Sequence, residues 1–111
     1  MWVAFSTAPD LQGAEELGRR AVEAGHAACV NLISGVRSLY RWQGALEEAH
    51  EVLMVFKTTR TAFPRLAELV SAVHRYEVPE LIAFPLADGL PAYLAWVRAA
   101  SAPVDTRDLT V

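Results

Sequence analysis

Few side chains in this chain are of the types that carry out catalysis or bind metal ions. Its 111 residues include one cysteine, three histidines and a single lysine. No His-Glu-x-x-His motif, no Gly-x-Ser-x-Gly motif and no glycine-rich phosphate loop occurs in the sequence. Two adjacent carboxylate pairs, Glu15-Glu16 and Glu47-Glu48, cannot work together, because neighbours in a helix or strand point in different directions. We therefore expect a protein that is not an enzyme.

The lysine, the cysteine and two of the histidines each stand alone in the sequence. Lys57 follows an apolar strand, so its ammonium group is expected at the end of a cleft, facing an anion or a carboxylate. The alternative for Lys57 is a structural salt bridge. Cys29 lies between apolar residues and is expected to pack as a small buried hydrophobe. His26 and His50 have no spacing that chelates a metal, and both are expected to be solvent-exposed.

Length and composition restrict the class of protein. At 111 residues the chain is expected to form one domain, residues 1–111. A net charge of -3 without a basic run argues against nucleic acid, and no apolar run is long enough to span a membrane. The lone cysteine and the absence of a leader sequence favour the cytoplasm. With 53% hydrophobic residues in so small a chain, some apolar surface must stay exposed, which predicts a homo-oligomer.

Hydrophobic periodicity predicts four strands and three helices. Strand-like segments are 2–7, 26–42 with a bend at Ser34-Gly35, 45–59 after a tight turn at Gln43-Gly44, and 80–86. Helical spacing is found over 11–22 with Gly25 as the C-terminal cap, over 61–74, and after Asp88-Gly89 up to residue 100. A weak strand propensity follows Pro103. The order strand, helix, strand, strand, helix, strand, plus a C-terminal helix, predicts a split βαβ or ferredoxin-like α+β fold with an antiparallel sheet.

Several short motifs, in order and spacing, resemble those of the CutA family. This family consists of small trimeric proteins associated with tolerance of divalent cations, copper in particular. The resemblance covers roughly residues 3 to 98. The motifs are Thr7-Ala8-Pro9-Asp10, Ala27-Ala28-Cys29-Val30-Asn31, Ser38-Leu39-Tyr40-Arg41-Trp42-Gln43-Gly44, Glu51-Val52, Lys57-Thr58-Thr59, His74-Arg75-Tyr76-Glu77-Val78-Pro79-Glu80 and Tyr93-Leu94-Ala95-Trp96-Val97.

The resemblance implies a homotrimer in which the long hairpin and the edge strands pair with neighbouring subunits. The residues offer a reason, because a long two-stranded ribbon has unpaired edges that another chain can cover. Tyr40 and Trp42 near the hairpin tip are expected to anchor this trimer interface. The alternative is an exposed aromatic hairpin that binds a different protein.

The resemblance also implies copper ligands, of which this sequence keeps one. A cysteine is implied before the Thr-Ala-Pro-Asp turn and two adjacent histidines before the Tyr-x-x-Pro-Glu segment. Ser6 and Val73 occupy two of these positions, which leaves His74, and Arg75 replaces the proline that commonly follows. One imidazole predicts weak binding of Cu(II) or another divalent metal ion, with help from nearby carboxylates: Glu51, Glu77 and Glu80. The alternative is that His74 bonds the last carbonyls of its helix.

Three functions follow from these residues and motifs. The first is a non-enzymatic, homotrimeric protein of divalent metal tolerance that binds copper or similar ions weakly. The second, by fold analogy with trimeric PII signalling proteins, is a sensor or scaffold that binds a small anionic metabolite. Its inter-subunit pocket would be lined by Lys57, Glu51, Tyr93 and Trp96. The third is a trimer that anchors a larger protein.

Overall fold

Four strands form one antiparallel sheet, and helices pack on it. The computed structural model describes residues 1–103, so the predicted weak strand after Pro103 lies outside the described residues. The sheet order β2-β3-β1-β4 is that of the split βαβ fold, and the predicted ferredoxin-like α+β class is confirmed. The elements are β1 Trp2–Ala8, α1 Leu11–Glu23, β2 Cys29–Trp42, β3 Ala45–Thr58, α2 Phe63–Val73, β4 Ile82–Pro85 and α3 Pro91–Ala100.

Helix α1 begins and ends where its sequence predicts. The Asp10 carboxylate accepts a hydrogen bond from the Gly13 backbone N–H at 2.7 Å, which satisfies one of the free donors of the first turn. At the other end, Gly25 has a φ of +76° and its N–H donates to the Val22 carbonyl. A left-handed residue after the last turn is the usual way in which a helix ends on glycine.

The core lies between the helices and one face of the sheet. Side chains alternate along a strand, and every second residue of β3 from Val52 onward is buried on the helix side. Strand β3 pairs with both β1 and β2, so its predicted central position is confirmed. The buried cluster comprises Ala4, Ala8, Ala14, Leu17, Ala21, Ala27, Val52, Met54, Phe56, Leu66 and Val70.

The end of the β2–β3 hairpin nearest its turn extends beyond the sheet as a two-stranded ribbon. Strand β1 pairs with β3 only from Val52 to Thr58, so the part of β3 before Val52 pairs with β2 alone. The predicted bend is a register shift between Ile33 and Val36. We define the hairpin ribbon as residues 36–51; the tight turn at Gln43-Gly44 closes it with two positive φ angles.

Strand β4 is shorter than the predicted segment 80–86. It covers Ile82–Pro85 and pairs with β1, with Pro85 opposite Trp2. Glu80 lies outside the ladder, and its backbone carbonyl accepts a hydrogen bond from the buried Ser6 hydroxyl at 2.7 Å. Proline at the end of the strand fits an edge, because it has no N–H to donate. Within residues 1–103, no helix is long and apolar enough to cross a membrane.

Candidate functional site

A cavity of about 700 Å³ lies between the hairpin ribbon and the chain that follows α2. Two structural features open it. The ribbon leaves the sheet just before Val52, and the Ser6–Glu80 hydrogen bond holds the 75–80 segment near β1. Tyr40 and Trp42 reach the cavity from the ribbon, since residues two apart on a strand share a face. Carboxylates also line it: Glu51, Glu77 and Glu80.

Glu51 is the most buried charged group of this cavity, with 8% of its surface exposed. The Tyr76 hydroxyl donates a hydrogen bond to Oε2 of Glu51 at 2.8 Å. Within residues 1–103, Oε1 of Glu51 accepts no hydrogen bond. Partial burial raises the pKa of Tyr76 well above its usual value, and the hydrogen bond to Glu51 and the negative charge there raise it further.

His74 lies at the C-terminal end of α2, with both ring nitrogens already bonded. Nδ1 accepts a hydrogen bond from the Tyr76 backbone N–H at 3.0 Å. Since Nδ1 accepts, the ring proton lies on Nε2, which donates to the Thr7 carbonyl at 2.6 Å. The alternative that His74 bonds the last helix carbonyls is therefore wrong, because its partner lies in β1. A metal ion can use His74 only if one of these bonds breaks.

Ser6, at the position of the implied cysteine, and Arg75, in place of the proline that commonly follows the histidines, both hold structural contacts. Ser6 is fully buried and bonds Glu80, and the Arg75 guanidinium is ion-paired with Asp10 at 2.5 Å. In the described part of the chain, no three His, Cys, Asp or Glu side chains lie close enough together to hold a metal ion. Residues 1–103 of a single chain thus offer no group of three metal-ligating side chains.

The residues predicted for an inter-subunit pocket lie in two places. Lys57 is directly across the ladder from Cys29, whose sulfur is 3.9 Å from the Tyr93 hydroxyl, and the Tyr93 and Trp96 rings are 5.6 Å apart. Glu51 lies six residues earlier on β3, about 20 Å away along an extended strand. A pocket with all four predicted residues therefore needs Glu51 from a second copy. Among residues 1–103, Lys57 forms no salt bridge, and the salt-bridge alternative stays a prediction.

Sequence reasoning misplaced His26 and overlooked Tyr76. His50 is exposed as expected, but His26 is half-buried, and burial lowers its pKa, as does the charge of Arg65. Cys29 is half-buried rather than fully buried. No spacing rule indicates that Tyr76 meets Glu51, because the two are 25 residues apart and meet only through the fold. The one signal is that Glu51 lies in a strand with a buried face, because a buried carboxylate needs a hydrogen-bond partner.

Comparison with known proteins gives consistent matches along the chain. The family model described as CutA1 divalent ion tolerance protein matches residues 2–100. The divalent-cation tolerance protein CutA of Thermus thermophilus is 46% identical over 96 residues, which cover 86% of this chain and 93% of that protein. Protein CutA of Mus musculus is 50% identical over 95 residues, and this chain spans about half of its length, 54%.

Solved structures agree in fold. That of the divalent cation tolerance protein Cut A1 from Thermus thermophilus has a TM-score of 0.89 at 44% identity, covering 92% of this chain and all of that one, 100%. A structure from Archaeoglobus fulgidus, described as the periplasmic divalent cation tolerance protein CutA, has a TM-score of 0.88 at 34% identity, with coverage of 92% and 100%.

Proposed function

The chain belongs to the CutA1 divalent ion tolerance protein family, and we propose that it acts in divalent metal tolerance as a non-enzymatic, cytoplasmic homotrimer. In this proposal the trimer binds Cu(II) or another divalent ion weakly. The observation that carries the proposal is the family match over residues 2–100. One related structure, from Archaeoglobus fulgidus, is described as periplasmic.

Exposed apolar side chains support the trimer. Trp42 on the ribbon is 42% exposed, Leu46 beside it 80% and Phe84 on the edge strand 42%. Large apolar surfaces of this kind mark contact sites with other chains, and aromatic residues commonly anchor them. Pairing of the ribbon and the edge strands with other copies would bury these side chains and satisfy the free edges of the sheet.

The hydrogen bonds of His74 support weak rather than tight metal binding. Copper at Nδ1 must displace the Tyr76 N–H, and copper at Nε2 must displace the Thr7 carbonyl. Each displacement leaves a backbone group without its partner, and that loss subtracts from the binding free energy. Glu77 and Glu80 are exposed and can add carboxylate oxygens, whereas Glu51 is already bonded to Tyr76.

Light-scattering mass with and without EDTA, followed by calorimetric titration with Cu(II), tests this proposal. We expect a trimer that EDTA leaves intact, and sub-millimolar Cu(II) binding that weakens in His74→Ala. The matched control is His50→Ala, which removes an exposed imidazole from the ribbon. Equal heats for the native protein and His74→Ala would exclude His74 as a ligand, and a monomeric mass would contradict the trimer.

A second candidate is the binding of a small anionic metabolite in an inter-subunit cleft. The observation that favours it is Lys57, whose ammonium group has no salt-bridge partner within residues 1–103 and which lies opposite Cys29 in the ladder. Thermal melting with nucleotides and organic anions tests this function. A rise in melting temperature that is lost in Lys57→Gln supports it, whereas a rise only with metal ions favours the first proposal.

A further inference from the structure

Three polar side chains meet at a junction of the three helices. His26 follows α1, Arg65 lies in the first turn of α2 and Ser101 follows α3. Each has one buried polar atom without a hydrogen-bond partner within residues 1–103: Nδ1 of His26, Nε of Arg65 and Oγ of Ser101. Buried polar atoms are nearly always paired, so a concentration of unpaired ones at a single junction points to strain or to a function.

The C-terminal end of α3 is fixed to this junction by few contacts. The guanidinium of Arg65 donates a hydrogen bond to the Ser101 carbonyl at 3.1 Å, which places a cation at the negative end of the α3 dipole. Ala102 then passes directly over Gly25, where a Cβ would lie 2.0 Å from the Ala102 carbonyl oxygen. His26 is held more firmly, because its backbone N–H and its carbonyl are both hydrogen-bonded. Repulsion between His26 and Arg65 therefore acts mainly on the bond that holds α3.

A proton on His26 disturbs the junction in two ways. Both nitrogens of an imidazolium carry hydrogen, so the buried Nδ1 becomes a donor that has no acceptor among residues 1–103. The new charge also has the same sign as Arg65. Glu68, one turn further along α2, attracts the proton, and no charged group of α1, β3 or α3 within residues 1–103 acts on the ring. We therefore propose that His26 is a pH-sensitive switch that releases the C-terminal end of α3 in mild acid.

The direction of the switch follows from the number of protons bound in each state. Burial and Arg65 outweigh Glu68, so the pKa of His26 is lowered in the closed junction. The released form takes up the proton first, near the ordinary value of 6.5. The hold on α3 is thus complete above that pH and weakens as pH falls through it. Because one proton is taken up, the released population rises by at most about tenfold per pH unit.

Hydrogen exchange of the full-length protein between about pH 7.5 and about pH 5.5 tests the switch. EDTA is present, and the rates are corrected for the intrinsic effect of pH. We expect the amide protection at the end of α3, including the Ser101 N–H, to fall with pH while β3 keeps its protection. His26→Gln cannot take up a proton and is expected to show no such fall. His50→Gln, which removes an exposed imidazole from the ribbon, is the matched control and should behave like the native protein.

NMR titration of the native protein adds a test that needs no variant. We expect the midpoint of the His26 ring to lie below 6.5, and a midpoint at or above that value overturns the proposal. An equal loss of α3 protection in His26→Gln would assign the acid effect to other groups and would also overturn it. A uniform loss of protection along the chain would mean that acid weakens the whole fold and does not release α3 selectively, which contradicts the switch. The proposed role in metal tolerance is untouched by each of these results, because His26 is not among its metal ligands.

Discussion

Replacing Tyr76 with phenylalanine removes one oxygen atom and, within residues 1–103, the only hydrogen bond to the Glu51 carboxylate. A hydrogen bond to a charged group contributes about 1.5–3 kcal/mol, and removing one partner leaves the other desolvated. The cavity admits water to the carboxylate, which places the expected cost near the lower end, about 1.5 kcal/mol. With a urea slope of about 1–3 kcal/mol per molar, the unfolding midpoint is expected to fall by about 0.5–1.5 M.

The effect of Tyr76→Phe also has a defined pH dependence. The folded pKa of Tyr76 is raised above the ordinary value of 10.0. Above about pH 10 the unfolded chain therefore releases this proton while the folded chain keeps it, so rising pH favours unfolding. The stability that the tyrosine contributes is complete below pH 10 and is lost above it, by at most about 1.4 kcal/mol per pH unit. Because Tyr76 is only half-buried, solvent screening reduces the loss below that limit.

Urea unfolding of the native protein and of Tyr76→Phe, at one protein concentration and at pH values from 8 to 11, measures both effects. The control is Tyr40→Phe, because the Tyr40 hydroxyl makes no hydrogen bond to any of residues 1–103 and lines the same cavity. We expect a difference for Tyr76→Phe at pH 8 that shrinks above pH 10, and little difference for Tyr40→Phe. A Tyr76→Phe protein as stable as the native one at pH 8, or a difference that stays constant to pH 11, would refute the reasoning.

Two further predictions concern the ends of α1. The pKa of Asp10 is lowered from 3.8, first by the Gly13 N–H and then by Arg75, so the charge stabilises the fold above that value and stops doing so as pH falls through the lowered pKa. Asp10→Asn keeps a capping oxygen but loses the charge. Its melting temperature should be lower than that of the native protein at pH 7 and equal to it at pH 2. Gly25→Ala should lower the free energy of unfolding by more than the roughly 1–2 kcal/mol that a left-handed alanine costs, because its Cβ would lie 2.0 Å from the Ala102 carbonyl oxygen. Gly35→Ala is the matched control, because its Cβ would have no atom within 4 Å, and it should cost only the left-handed conformation. Equal urea midpoints for the two glycine variants would contradict this.

The fold was largely predictable because it follows from local signals that agree with one another. The apolar periodicity of α1, its Asp10 cap and its terminal Gly25 all specify the same helix. The Gln43-Gly44 turn fixes the hairpin, and the apolar run after Val52 identifies the central strand. The main error was the length of β4, because the ladder with β1 begins only at Ile82 and the Glu80 carbonyl bonds the Ser6 side chain instead of lying in the ladder register.

Only part of the candidate site could be predicted, because its residues come from segments that are distant in the sequence. Glu51, Glu77 and Glu80 are predicted as carboxylates that help His74, and the structure places all three around one cavity. The pairing of Glu51 with Tyr76 and of His74 with Thr7 depends on how α2 returns to the sheet, which no local pattern encodes. Lys57 and Glu51 are predicted to line one pocket. Both lie on β3, and an extended strand holds them about 20 Å apart.

The geometry of the 74–76 segment links His74 to the buried Glu51. The Tyr76 backbone N–H bonds His74, and the Tyr76 hydroxyl bonds Glu51, so one residue connects the imidazole to the buried carboxylate. A copper ion that takes Nδ1 of His74 must displace that N–H, and it thereby loosens the residue that orients Glu51.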